Sequence, residues 1–140
     1  MIKRLMISVL SLSASTAAFS KQPIESQPAT DLPGITRATN NIYLMENHST
    51  AFNIWHARNI KGATLVHLDA HDDCRYIPPG KLDILKKLTA ERNFKEIFKQ
   101  SDIESSFQFQ LQPDKFLFDL GNFIYPCLMD GTVSRFYWVV

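Results

Sequence analysis

The fold of this chain is decided by residues Ala63–Leu68, which have the sequence ATLVHL, and by the polar run DAHDD that follows at residues 69–73. The first stretch is a nearly continuous apolar run, which is typical of a parallel β-strand covered on both faces. The second stretch places carboxylates and an imidazole where that strand ends. Because open α/β sheets bind their ligands at the carboxyl ends of parallel strands, this junction is the predicted functional site.

A strand and a helix are predicted immediately before Ala63–Leu68. Residues 41–45 are β-branched and aromatic, a composition that favours a buried strand. Residues 50–58 carry apolar side chains at three- and four-residue steps, which predicts a short helix. Strand, helix and strand together predict a right-handed βαβ unit. The turn that contains His48 and the run 69–73 should therefore share one edge of the sheet.

The remainder of the chain extends the same pattern. Residues 81–100 have the apolar stripe of one or two amphipathic helices, and residues 116–118 and 136–140 are predicted strands. Residues 121–129 should form a short helix or an irregular turn. The fold class expected from this order of elements is α/β with a mainly parallel sheet.

The N-terminal part of the 140-residue chain has the features of an export signal. Lys3 and Arg4 precede a short apolar run, and Ala18 and Ser20 are the small residues that a signal peptidase recognises. We expect residues 1–20 to be a signal peptide, 21–38 a flexible leader arm and 39–140 the folded domain. The protein is then exported, periplasmic or secreted, and has no stable membrane span because the apolar run is too short.

Charge and cysteine content narrow the partners. The formal net charge is +1, so the sequence offers no basic excess for a phosphate backbone and nucleic acid is excluded as a partner. The predicted partner is a small-molecule substrate, and the sequence leaves the oligomeric state open. Cys74 and Cys127 either form one disulfide in an oxidising compartment or stay as free thiols, and their spacing does not decide between the two.

The side chains at the end of the central strand are suited to a divalent metal ion. In an extended chain His67, Asp69 and His71 share a face, and Asp73 can join them where the strand opens into its loop. Carboxylate oxygen with imidazole nitrogen suits Mn²⁺ best, with Fe²⁺ and Zn²⁺ as alternatives. The alternative without a metal is a solvated acidic turn, in which His67 and His71 are hydrogen-bonded core residues.

Two motifs resemble the arginase and deacetylase superfamily, in particular its uncharacterised arginase-like branch. Residues 45–49, MENHS, are similar to the Gly-Gly-Asp-His-Ser turn of that superfamily, and residues 69–73 are similar to its Asp-Ala-His-x-Asp signature. The resemblance covers the N-terminal half of the family's fold. It implies a three-layer α/β/α architecture that is incomplete at its C-terminus. It also implies that the metal ligands are His48, Asp69, His71 and Asp73.

The same resemblance implies a function. The chain would be a metal-dependent hydrolase that acts on a C–N bond, in an amide or guanidinium group, through a metal-bound hydroxide. Glu46 and His67 are the residues expected to assist proton transfer. The later Asp-x-Asp pair of the family's two-metal site does not occur in this sequence. The alternative is therefore a non-catalytic or truncated metal-binding protein that keeps only half of the site.

Overall fold

The computed structural model describes residues 32–39, 41–101 and 115–140. Within these ranges the chain forms short strands and helices that alternate along the sequence. They are β1 (Ile35–Thr39), β2 (Ile42–Met45), a 3-10 helix (His48–Thr50), α1 (Ala51–Ala57), β3 (Ala63–Leu68), α2 (Pro79–Ala90), α3 (Phe94–Lys99), α4 (Ile124–Met129) and β4 (Val133–Val139).

The described strands form two separate sheets. β1 and β2 are an antiparallel pair, whereas β3 and β4 are a parallel pair in which Leu65 lies opposite Phe136 and His67 opposite Trp138. The fold is therefore mixed α/β. The structure differs from the predicted βαβ unit, because β2 pairs with β1 instead of joining β3 in one sheet. The hydrophobic pattern of β2 was sufficient to predict a strand but contains no information about its partner.

Two glycines start the parallel pair. Gly62 and Gly131 precede β3 and β4 with φ angles of 65° and 77°, in the left-handed region that side chains other than glycine disfavour. The Gly62 amide donates a hydrogen bond of 2.9 Å to the Gly131 carbonyl oxygen. Both strands consequently begin at the same level, and their carboxyl ends lie side by side.

Only one face of β3 packs against the described core. Leu65 and His67 on that face are buried, whereas Val66 and Leu68 on the other face are 37% and 56% exposed. The sequence predicted a strand covered on both faces. A three-layer α/β/α arrangement would need helices over Val66 and Leu68, and the described residues cover this face with none.

The predicted helices are confirmed with small changes of boundary. The helix expected at residues 50–58 is α1, and every one of its residues is buried. The region 81–100 contains α2 and α3, separated by a break at which Asn93 caps α3 by accepting a hydrogen bond of 3.2 Å from the Glu96 amide. The region 121–129 ends in the helix α4.

The strand predicted at residues 116–118 is wrong. These residues lie in a loop, in which Leu117 and Phe118 are nonetheless buried. The Leu117 amide donates to the carbonyl oxygen of Gln100 at 2.8 Å, so this backbone group is satisfied by the end of α3 instead of by a neighbouring strand. The run that resembled a strand is instead a loop that packs the side chains of Leu117 and Phe118 into the core.

One hydrophobic core connects the helices with the buried face of β3 and β4. Its most deeply buried apolar side chains come from α1, β3, the loop before α2, α3, the 116–118 loop and α4. They are Phe52, Leu65, Ile77, Ile97, Phe118 and Ile124. Phe123 of this core contacts the rings of His48 and His67, so the core packs against the carboxyl end of β3.

The remaining predictions concern the termini and the cysteines. The signal peptide at residues 1–20 lies outside the described residues, as does most of the leader arm, although Ile35–Thr39 form β1. Cys74 and Cys127 are both free thiols, and Cys127 is fully buried. In the part of the chain that the structure describes, no helix is both long and apolar enough to cross a membrane.

Candidate metal centre

His48, Asp69 and Asp73 lie together at the carboxyl end of β3. One potential ligand atom from each residue can be chosen so that all three lie within 4.8 Å of one another. His48 and Asp69 are partly buried and Asp73 is buried. Two segments build the group, the 3-10 helix before α1 and the loop after β3. Folding is therefore needed to bring the three side chains together.

Local sequence fixes the position of His48 at the start of the 3-10 helix. The side-chain oxygen of Asn47 accepts hydrogen bonds from the amide and the hydroxyl of Ser49, at 3.0 and 2.7 Å. This is an N-cap, which satisfies amides that the first turn of a helix leaves without partners. Ser49 and Thr50 are fully buried, so the turn is anchored in the core while the His48 ring points to the site.

Asp73 is held in an unusual backbone conformation. Its φ angle is 50°, in the left-handed region that aspartate, like asparagine, enters more readily than most residues. Its carbonyl oxygen accepts a hydrogen bond of 3.2 Å from the Ile124 amide at the start of α4. This hydrogen bond joins the loop after β3 to the start of α4 and so fixes the residue that contributes most contacts to the group.

Two imidazoles approach the same carboxylate oxygen. The Nε2 atoms of His48 and His67 lie 2.8 and 3.0 Å from Asp73 Oδ2. The other neighbours of these nitrogens are also acceptors: the Leu120 carbonyl oxygen for His48, at 3.3 Å, and the His71 carbonyl oxygen for His67, at 3.1 Å. Since acceptors surround both Nε2 atoms, each of them carries a proton and donates to Asp73.

These contacts shift the pKa values of the pair in opposite directions. Burial alone would lower the pKa of His48, but the hydrogen bond and charge of Asp73 and the charge of Asp69 outweigh it and raise this pKa. Burial alone would raise the pKa of Asp73, but the hydrogen bonds from His48 and His67 outweigh it and lower this pKa. The electrostatics therefore favour an ionised Asp73.

Asp69 is fixed by the parallel strand pair. Its amide donates to the Val139 carbonyl oxygen at 3.2 Å, and its own carbonyl oxygen accepts a hydrogen bond of 2.8 Å from Trp138 Nε1. Its side chain is 12% exposed, and one oxygen accepts a hydrogen bond of 3.2 Å from the His71 amide. β4 thus determines where the Asp69 carboxylate stands relative to His48.

The other residues predicted for the site occupy different positions. The His71 side chain is 81% exposed, and its Nδ1 lies 3.8 Å from Asp69 Oδ1, at the border of the group instead of within it. β3 ends at Leu68, so the alternation of side chains that predicted a shared face for Asp69 and His71 no longer applies beyond it. Glu46 is exposed just after β2. His67 is buried and contacts Asp73 without belonging to the group.

Sequence reasoning missed the contribution of a distant turn. Residues 119–122 have the sequence DLGN and are called the Asp119 turn below. This turn supplies the Leu120 carbonyl oxygen that contacts His48, and it is fixed by Arg75, which lies two residues after Asp73. Asp, Gly and Asn are typical turn residues, and this composition was the only signal available for it.

The donor set fits a divalent metal ion. Two carboxylates and one imidazole offer hard oxygen and borderline nitrogen donors, the combination that Mn²⁺, Fe²⁺ and Zn²⁺ accept. The His67 contact to Asp73 is the type of outer contact that orients a ligating carboxylate. The geometry supports a metal site of three protein ligands and does not distinguish between these metals.

Comparison with known proteins yields no relative. No family model matches the chain, and neither a curated protein nor a solved structure matches it. The resemblance to the arginase and deacetylase superfamily therefore rests on the two sequence motifs. It stays a prediction, to which the structure adds the grouping of His48, Asp69 and Asp73.

Proposed function

We propose that the chain binds a divalent metal ion at His48, Asp69 and Asp73 and hydrolyses a C–N bond of an amide or guanidinium group in a small molecule. The observation that carries the proposal is the convergence of these three side chains, with ligand atoms within 4.8 Å of one another. Mn²⁺ is the first choice because carboxylates outnumber imidazoles in the group. The position at the carboxyl end of a parallel strand also favours a ligand site.

In the proposed reaction, His67 and Trp138 position the two carboxylates that would hold the metal ion. A divalent ion held by His48, Asp69 and Asp73 would supply Lewis acidity, which activates water for attack on the planar carbon. His67 keeps its Nε2 proton on Asp73 Oδ2 and so orients this carboxylate. Trp138 donates to the Asp69 carbonyl oxygen and fixes the backbone at the other carboxylate. Both contacts hold the ligands in place before any metal binds, which reduces the reorganisation that binding requires.

The proton-transfer roles of Glu46 and His67 stay predictions. Both neighbours of His67 Nε2 are acceptors and the residue is 3% exposed, so its position suits orienting Asp73 better than exchanging protons with a substrate. Glu46 is exposed and does not belong to the group of three side chains. The fourth predicted ligand, His71, borders the group with an exposed ring.

Metal binding is tested first, on the protein stripped with a chelator. Titration with Mn²⁺ should raise the melting temperature, since free metal at about 100 times Kd adds about 2.7 kcal/mol to the free energy of unfolding. Asp69→Ala should abolish this shift. The matched control is Asp72→Ala in the same loop, because the exposed Asp72 carboxylate only accepts a hydrogen bond of 3.2 Å from the Cys74 amide. The control should keep the wild-type response.

Hydrolysis is tested next, on the loaded protein with a panel of amide and guanidinium compounds. Release of ammonia, amine or urea should depend on Mn²⁺ and disappear in Asp69→Ala. Equal melting of the wild type with and without metal would refute the metal centre. Equal loss in Asp72→Ala would show instead that general loop charge determines binding.

A non-catalytic metal-binding protein is the second candidate. The observation that favours it is the small donor set, since the described residues provide a single group of three ligands. This candidate predicts the same Mn²⁺ response and the same sensitivity to Asp69→Ala, but no turnover with any member of the panel. The two experiments therefore separate the candidates.

A further inference from the structure

Arg75 donates several hydrogen bonds to the Asp119 turn. Its Nη2 donates to Asp119 Oδ1 at 2.8 Å, and its Nε donates to the Gly121 carbonyl oxygen at 3.2 Å. Its own amide donates to the same Gly121 oxygen, also at 3.2 Å. Asp119 is 2% exposed, and a buried carboxylate needs polar partners of this kind.

The Asp119 turn is closed by its own side chains as well. Asp119 Oδ1 also accepts a hydrogen bond of 2.6 Å from the Gly121 amide, and the Asp119 amide donates to Asn122 Oδ1 at 2.7 Å. A Cβ atom at Gly121 would lie 2.5 Å from Arg75 Nη2. Only glycine at this position lets the guanidinium approach the turn so closely.

The Asp119 turn also contacts the candidate metal centre. The Leu120 carbonyl oxygen lies 3.3 Å from His48 Nε2, between the two residues that Arg75 holds. Phe123, which follows the Asp119 turn, packs its ring against the His48 ring in a T-shaped contact with a centroid distance of 5.2 Å. The Leu120 oxygen contacts the same nitrogen that faces Asp73, so this contact orients the His48 ring in the metal-free protein, where Nε2 carries a proton. A metal bound through Nε2 would replace that proton, and the Phe123 contact would then continue to hold the ring.

We infer that Arg75 is a positioning residue of the metal centre: it fixes the Asp119 turn so that the Leu120 carbonyl oxygen holds the His48 imidazole toward Asp69 and Asp73. The part of this inference that concerns metal affinity rests on the proposed function. The part that concerns the His48 ring does not, because it is a contact within the metal-free protein. Arginine is suited to this task because its planar fork binds a carboxylate and a carbonyl oxygen together, which lysine cannot reproduce.

The test uses two variants that release the turn by different routes. Arg75→Ala removes the guanidinium, and Gly121→Ala pushes it away with a Cβ atom while keeping its charge. Gly121 does not have a positive φ, so alanine is compatible with its backbone. The matched control is Gly80→Ala in α2, where an added Cβ would have no neighbour within 4 Å.

Two readouts are measured on the full chain. The first is the ¹⁵N–¹H spectrum of the histidine side chains without metal, with the His48 signals assigned from their loss in His48→Gln. His56 provides an internal reference in the same spectrum, because its ring is held by Phe52 and Asp130. The second is the Kd for Mn²⁺.

Arg75→Ala and Gly121→Ala should change the His48 signals, leave the His56 signals in place, and raise the Kd for Mn²⁺ severalfold, because the His48 ring is then no longer held in position before the metal binds. Gly80→Ala should change neither readout. Unaltered His48 signals in both variants would overturn the inference, as would equal changes at His48 and His56, which would indicate general loosening. If the wild type binds no Mn²⁺, the proposed function fails, while the His48 signals still decide the role of Arg75.

Discussion

At the scale of single residues, the sequence motifs predicted four metal ligands, and the structure brings three of them together. The spacing of Asp69 and Asp73 and the position of His48 were visible in the sequence, and the structure groups these three side chains. Their role as ligands stays a prediction. His71 could not be placed from the sequence, because the strand stops at Leu68 and the loop beyond has no regular period. The positive φ of Asp73 is compatible with its residue type, because aspartate is enriched in this region, but the residue type alone does not predict it.

The contact between His67 and Asp73 leads to a prediction about stability. His67→Phe keeps a ring among Phe123 and Phe136 but removes the donor that lies 3.0 Å from Asp73 Oδ2. The buried carboxylate then loses a hydrogen bond, which should cost about 1–3 kcal/mol of unfolding free energy. Urea unfolding of the metal-free protein at neutral pH measures this loss.

The control for this variant is His71→Ala, whose ring is 81% exposed. It should change the unfolding free energy by no more than about 0.5 kcal/mol, as surface substitutions usually do. Similar losses in both variants would mean that the described hydrogen bond is not what stabilises Asp73.

At the scale of elements, local patterns predicted strands and helices but not which of them meet. The strand β3 follows from its continuous apolar run, and the helices α1 to α3 follow from hydrophobic periodicity. The strand predicted at residues 136–140 is β4, which begins three residues earlier, at Val133, and ends at Val139. The pairing of β2 with β1 and the Asp119 turn do not, since both depend on contacts that no local period encodes. The same holds for His56 in α1, whose buried Nε2 pairs with Asp130 Oδ2 at 2.6 Å across 74 positions of sequence.

This link between α1 and the turn before β4 predicts a dependence of stability on pH. Burial alone would raise the pKa of Asp130, but the hydrogen bonds from His56 and Thr132 outweigh it and lower this pKa below 3.8. A depressed carboxylate pKa stabilises the folded state above the unfolded value, and this stabilisation is lost as the pH falls through the folded value. Unfolding free energies measured from pH 6 to pH 2.5 should therefore fall less steeply below about pH 4 in Asp130→Asn than in the wild type.

Asp83→Asn, at an exposed position of α2, is the control for removing one carboxylate. Its unfolding free energy should fall with decreasing pH as steeply as that of the wild type. Parallel curves for the wild type and Asp130→Asn would contradict the assignment of the acid-sensitive link to Asp130, and Asp73, whose pKa is lowered in the same direction, would be the next candidate.

At the scale of the whole molecule, the parallel pair combines a buried face that carries the site with an exposed apolar face. Leu68 and Val139, opposite each other in the register, are 56% and 44% exposed, and Tyr137 beside them is 54% exposed. Parallel sheets are usually covered on both faces. The position of the site depends only on the buried face, because Leu65, His67 and Asp69 take their places from the core beneath β3 and from β4 beside it.

The double variant Leu68→Thr, Val139→Thr tests whether the second face is open in the folded protein. Threonine has the β-branched shape that strands favour, and both positions are exposed, so the unfolding free energy should change by no more than about 0.5 kcal/mol. Binding of the dye ANS should fall, because contiguous exposed apolar surface is what it detects. Leu65→Thr on the buried face is the contrast and should cost about 2–4 kcal/mol, since it leaves a cavity and an unpaired hydroxyl. A comparable loss of unfolding free energy in the double variant would show that this face is covered in the folded protein, as the three-layer architecture requires.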